Sequence, residues 1–89
     1  MIEKKITIQN KLGLHARASA KLVNEAKRFG SQIKLIKNNK TINAKSIMAV
    51  MMLAAGQGTE LEIHVDGDDA EEAWLGLETL INNRFGEAE

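Results

Sequence analysis

Leu61, Ile63 and Val65 alternate with Glu60, Glu62, His64 and Asp66. Successive side chains on a strand point to opposite faces, so this run has one apolar face and one charged face. Ile2, Ile6 and Ile8 against Glu3, Lys5, Thr7 and Gln9 repeat the pattern, with Lys4 on the apolar side near the chain end. Strands written this way demand an antiparallel sheet that rests one side on a core and shows the other to water.

What covers the apolar side is written at another period. From Ala16 to Arg28 the residues Ala16, Ala20, Val23, Leu22, Ala26 and Phe29 form a helical stripe, stopped at Gly30. Ile33 and Leu35 mark a second strand, and Asn38-Asn39 is turn chemistry that returns Lys40–Asn43 as a third. Ser46 offers an N-cap to a short apolar helix, Ile47 to Leu53, and Ala54–Gly58 is a loop. Asp68 with Glu71 resembles a capping box for a last helix carrying Ala70, Ala73, Trp74, Leu77, Leu80, Ile81 and Phe85 and ending at Gly86. The predicted fold is α+β, β-α-β-β-α-β-α: a four-stranded antiparallel sheet covered on one face by three helices.

The chain's 89 residues make one domain, 1–89, whose core is too small for a large internal cavity. Twelve basic and twelve acidic residues cancel, so no global field draws it to nucleic acid or an anionic membrane. With no cysteine there is neither a disulfide framework nor thiolate chemistry, which fits a reducing, cytoplasmic setting. No apolar run approaches the roughly 20 residues of a membrane span. The expectation is a chain without nucleic-acid partners or membrane insertion.

One position carries chemistry. In Gly13-Leu14-His15-Ala16-Arg17 the strand-like period gives way to the helical one, so His15 falls at a helix N-terminus. The first-turn N–H groups have no partners inside a helix, and the dipole adds about half a positive charge, which together suit a phosphoryl group. The backbone of Ala16, Arg17 and Ala18 would supply those donors, and Arg17 a permanent cation. Gly13 permits a tight turn that leaves the imidazole uncovered. The helix terminus also favours a neutral ring, which keeps a lone pair for attack on phosphorus.

Asn10-Lys11-Leu12-Gly13-Leu14-His15-Ala16-Arg17, together with Asn43-Ala44-Lys45-Ser46-Ile47-Met48, the length and the element order, resembles the HPr family. Its members are the histidine phosphocarriers of the bacterial phosphoenolpyruvate-dependent phosphotransferase system. The resemblance implies the open-faced β-sandwich of that family, and a relay in which Enzyme I phosphorylates His15 at Nδ1 and an Enzyme IIA receives the phosphate. It implies that Arg17 steadies the phosphate and that no cofactor takes part. Ser46 matches the serine that an HPr kinase/phosphorylase modifies in many relatives. One departure is Ala18, where the family usually has proline; alanine keeps the helix and restores a donor.

By the same resemblance, Leu14, Ala20, Lys45, Ile47, Met48 and Met51 are expected to dock partners. A short helix apolar around much of its circumference cannot bury every face. A carrier presenting one face to successive partners is expected to be a monomer. The rival classes fit less well. An RNA-binding module of similar element order needs aromatics on its open sheet, and these strands carry none. Gly56 and Gly58 lack the lysine of a P-loop. His15 and His64, far apart and without cysteine, make a poor metal site, and none is expected. A standalone hydrolase lacks a base and an oxyanion arrangement.

Overall fold

The computed structural model describes residues 1–89. The elements are β1 (Ile2–Thr7), α1 (Ala16–Ala26), β2 (Gln32–Lys37), β3 (Lys40–Asn43), α2 (Ile47–Met52), β4 (Glu60–Asp66) and α3 (Ala70–Asn82), followed by a 3-10 turn at Arg84–Gly86. This is the predicted order. The four strands form one antiparallel sheet, β1-β4-β2-β3, so the strand with the strictest alternation lies inside it.

Register turns that alternation into a core. Leu61 pairs with Ile6, Ile63 with Leu35, and Val65 with both Ile2 and Ile33, which gathers the aliphatic side chains on one face. Lys4, opposite Ile63 on the edge strand, stays exposed. Leu22, Leu77 and Ile81 from the helices meet the sheet within a single cluster of 22 buried residues. Each such side chain contributes about 1.5–3 kcal/mol through the water it sheds. Asn38 and Asn39 have φ of 50° and 68°, the paired left-handed conformation of a tight β-hairpin turn.

Four sequence expectations need correction. Ala16 is exposed rather than on the inward stripe of α1. The buried face runs through Ala18, Ser19, Leu22, Val23 and Ala26, spaced by three and four residues. The helix also stops at Ala26, leaving Lys27 and Arg28 in the turn beyond it.

The supposed capping box at Asp68 and Glu71 does not form. Asp69 is the N-cap of α3, yet its side chain does not cap it. Its carboxylate instead accepts from the backbone N–H of Gly30 (2.9 Å) and Ser31 (3.0 Å) and from the Ser31 hydroxyl (2.5 Å). Three donors from the α1–β2 connection outcompete the helix's own N–H groups, and the Asp69 carboxyl is held below its ordinary value, chiefly by the Ser31 hydroxyl.

Finally, α3 does not continue to Phe85. Arg84 and Phe85 take φ of 57° and 55°, which ends the helix and swings the Phe85 ring into the core. Lys21 fixes that turn by donating to the Phe85 carbonyl at 2.7 Å. The turn sends the last residues back across the start of α1, where they complete a site.

Candidate functional site

Gly13 makes the approach to α1 possible. Its φ is +67°, and a Cβ there would lie 2.5 Å from the Ala55 carbonyl oxygen. The glycine therefore lets the loop close on Ala55–Gly56, rather than simply uncovering the next side chain as expected. Leu14 then donates its backbone N–H to Ala55 at 2.8 Å. These contacts seat the loop immediately before His15.

His15 is the N-cap of α1, with φ −74° and ψ 179°. Its imidazole makes no capping bond, so the ring is free to face outward; 27% of the side chain is exposed. The backbone N–H groups of Ala16, Arg17 and Ala18 find no acceptor within the chain. Ala18 keeps its methyl group fully buried. Arg17 is exposed, and no ion pair occupies it. His15 and Arg17 line an open cleft of about 730 Å³ with Lys11, Leu12, Lys21 and the tail from Gly86 to Glu89. An imidazole and a guanidinium thus share one cleft at the start of α1, a helix whose first backbone N–H groups are unpaired.

The tail was not anticipated. Glu87 Oε2 lies 2.5 Å from His15 Nε2, while Oε1 accepts from the side-chain amide of Asn10 at 3.0 Å. The Asn10 and His15 hydrogen bonds, with the neighbouring charges of His15 and Arg17, hold the Glu87 carboxyl below its ordinary value. Asn10 is itself fully buried and also donates to the Gly13 carbonyl at 2.8 Å. Seventy-two residues separate His15 from Glu87, and no local pattern links them.

The expected docking residues divide. Leu14 is only 6% exposed and belongs to the core, because the bond to Ala55 turns it inward, so that assignment is withdrawn. Ala20 is half-buried. Lys45 is half-buried and donates to the Phe29 carbonyl at 2.7 Å, so its ammonium is already engaged. Ile47, Met48 and Met51 are exposed on α2, joined by Met52, which the sequence reading did not select. Ser46 caps α2 by accepting from the Ala49 N–H, at a long 3.4 Å. His64 lies on the open side of the sheet against Glu62, and Trp74 packs in the core.

Comparison with known proteins bears on this arrangement. Residues 2–83 match the family model PTS-HPr, the PTS HPr component phosphorylation site. The phosphocarrier protein HPr of Cupriavidus necator is 55% identical over 89 residues, spanning the whole of both chains. A crystal structure of HPr-C-His from Thermoanaerobacter tengcongensis superposes with a TM-score of 0.96 at 48% identity, again over 100% of both chains. An HPr dimer from the same organism gives 0.79 at 49% identity, covering 98% of this chain and 100% of that one. The outward histidine, the agreement of the fold and the end-to-end identity lead to one assignment: the chain belongs to the HPr family, the phosphocarriers of the phosphotransferase system.

Proposed function

We propose that His15 accepts a phosphoryl group from phospho-Enzyme I, charged by phosphoenolpyruvate, and passes it to an Enzyme IIA. The observation that carries this reading is the placement of one partly exposed imidazole at the N-cap of α1, beside Arg17 and three unpaired backbone donors. An N–H cluster and a guanidinium stabilise a dianion without burying it, so the group can be loaded and given up from the surface. Ala16, Arg17 and Ala18 supply the backbone contacts. Arg17 adds charge-assisted hydrogen bonds to the phosphate oxygens.

Both partners would meet the same face, bounded by Ala20 on α1 and by Ile47, Met48 and Met51 on α2. Exposed methionines adapt to surfaces of different shape, which suits a site shared by successive partners. A monomer leaves that face open. Ser46, at the N-terminus of α2, would be the target of an HPr kinase/phosphorylase; a phosphate there carries about −1.5 to −2 charges and would change the docking surface without unfolding the helix. The role requires no cofactor or metal, and is compatible with a cytoplasmic location.

The relay is tested with purified Enzyme I, phosphoenolpyruvate and an Enzyme IIA. Label should reach the IIA protein only when the chain is present, and His15→Ala should stop it. Transfer through His15→Ala at the native rate would refute the assignment.

A further inference from the structure

We propose that Glu3, Glu62 and His64 form a binding site for zinc on the open face of the sheet, separate from the His15 cleft.

Register builds the site. Leu61, Ile63 and Val65 are buried against the core, so Glu62 and His64, which alternate with them, project from the opposite face of β4. Glu3 pairs directly with His64 across the ladder between β1 and β4. Directly opposite residues have Cβ atoms about 4.5–5.5 Å apart, and residues two apart on one strand share a face. Two strands thus bring an imidazole and two carboxylates into one patch. A ring nitrogen of His64 and one oxygen from each glutamate all lie within 4.8 Å of one another. Two histidines far apart make no metal site, but one histidine with a carboxylate from each of two paired strands does.

The surrounding charges leave this patch short of a cation. Lys5 stands opposite Glu62 and Lys34 opposite His64, yet both lysines are exposed and neither forms an ion pair with Glu3 or Glu62. The polar partner held inside the patch is the ring itself, with Glu62 Oε2 at 2.5 Å from His64 Nε2. That contact engages one carboxylate and leaves the other uncompensated. Like charges held together on a sheet face repel, and a divalent ion between them turns the repulsion into attraction. The His64 and Glu62 side chains are 28% and 38% exposed, so an ion reaches them from solvent.

The donor set selects the ion. Carboxylates and water suit magnesium and calcium, whereas an imidazole suits zinc and its neighbours. Zinc binds such nitrogen and oxygen atoms at about 2.0–2.2 Å, which puts tetrahedral ligands roughly 3.4 Å from one another. Glutamate side-chain rotations of about 1 Å bring the three atoms to that spacing. On binding, Nε2 stops sharing a proton with Glu62 and gives its electron pair to the ion. The neutral ring keeps its single N–H on Nδ1, and any proton displaced passes to solvent. Three protein ligands leave a fourth position for water.

The test is a titration of the full chain with zinc chloride, and separately with magnesium chloride, at a pH where both imidazoles are neutral. The ring signals of His64 and His15 are followed individually by NMR, so zinc held at His15 is not mistaken for zinc held here. Zinc should shift the His64 ring signals saturably and fix its N–H on Nδ1, while magnesium should leave them in place. Glu3→Gln, a change on an exposed edge-strand side chain, should weaken the zinc affinity read at His64 by about tenfold or more, with an unchanged melting curve in the absence of metal. The proposal is overturned if zinc leaves the His64 signals at their metal-free positions, if magnesium moves them as zinc does, or if Glu3→Gln binds with native affinity. The first two outcomes are read on the native chain and do not depend on how the variant folds.

Discussion

Gly13 and Ala55 are so close that a single methyl group on the glycine would lie 2.5 Å from the alanine's carbonyl oxygen. Two loops distant in sequence meet there, and the one carrying Gly13 leads directly into the His15 cap. Gly13→Ala combines that clash with a left-handed φ of +67°. The expected loss is about 2 kcal/mol or more, a fall in Tm of roughly 8–16 °C for a domain of this size. Thermal unfolding within about 2 °C of the native value would contradict the contact.

Asp69 ties the start of α3 to Gly30 and Ser31, and its folded pKa is depressed below the ordinary value of 3.8. A carboxylate with a lowered folded pKa stabilises the fold above its unfolded pKa, and that contribution disappears as pH falls through the folded value. Acid unfolding should therefore begin in the ordinary carboxylate range and steepen below it. Asp69→Asn should flatten this pH dependence, and Ser31→Ala, which removes the largest cause of the shift, should flatten it in part. Unchanged acid unfolding curves for both variants would show that the pair is not coupled to folding.

Ser46 holds Ala49 by a bond of 3.4 Å, long for a cap. Ser46→Ala should therefore cost near the low end of the capping range, about 0.5 kcal/mol. Chemical denaturation reads this directly. A loss of about 2 kcal/mol would mean that the cap is stronger than its geometry indicates.

Met48 is 67% exposed and Met51 is 41% exposed, so the fold does not depend on burying them. Met48→Asp should leave stability within about 0.5 kcal/mol of native, yet weaken transfer by raising the KM for Enzyme I. If transfer kinetics stay native, partners dock elsewhere.

The sheet could be read from the chain because its signal is local: Leu61, Ile63 and Val65 alternate, and the register with Ile6, Ile33 and Leu35 follows from burying one face. His15 was legible for the same reason, being fixed by a change of period at adjacent residues. Other features depended on distant partners. Asp69 chose donors 38 and 39 residues away over its own helix. Leu14 looked like a surface neighbour of His15 until Ala55 turned it inward. Phe85 fits the α3 stripe, but reaches the core through two left-handed residues that no helical pattern announces. Glu87 then arrives at the ring as a consequence of that turn. Gly86 marks the break in the chain but not its direction.

The central claim, that His15 is the atom-bearing residue of the carrier, is tested most directly by incubating the chain with Enzyme I and phosphoenolpyruvate and locating the phosphate by mass spectrometry and acid lability. The account predicts a single acid-labile phosphoryl group on His15, absent from His15→Ala. A phosphate carried by another residue, or none on the native chain, would contradict it.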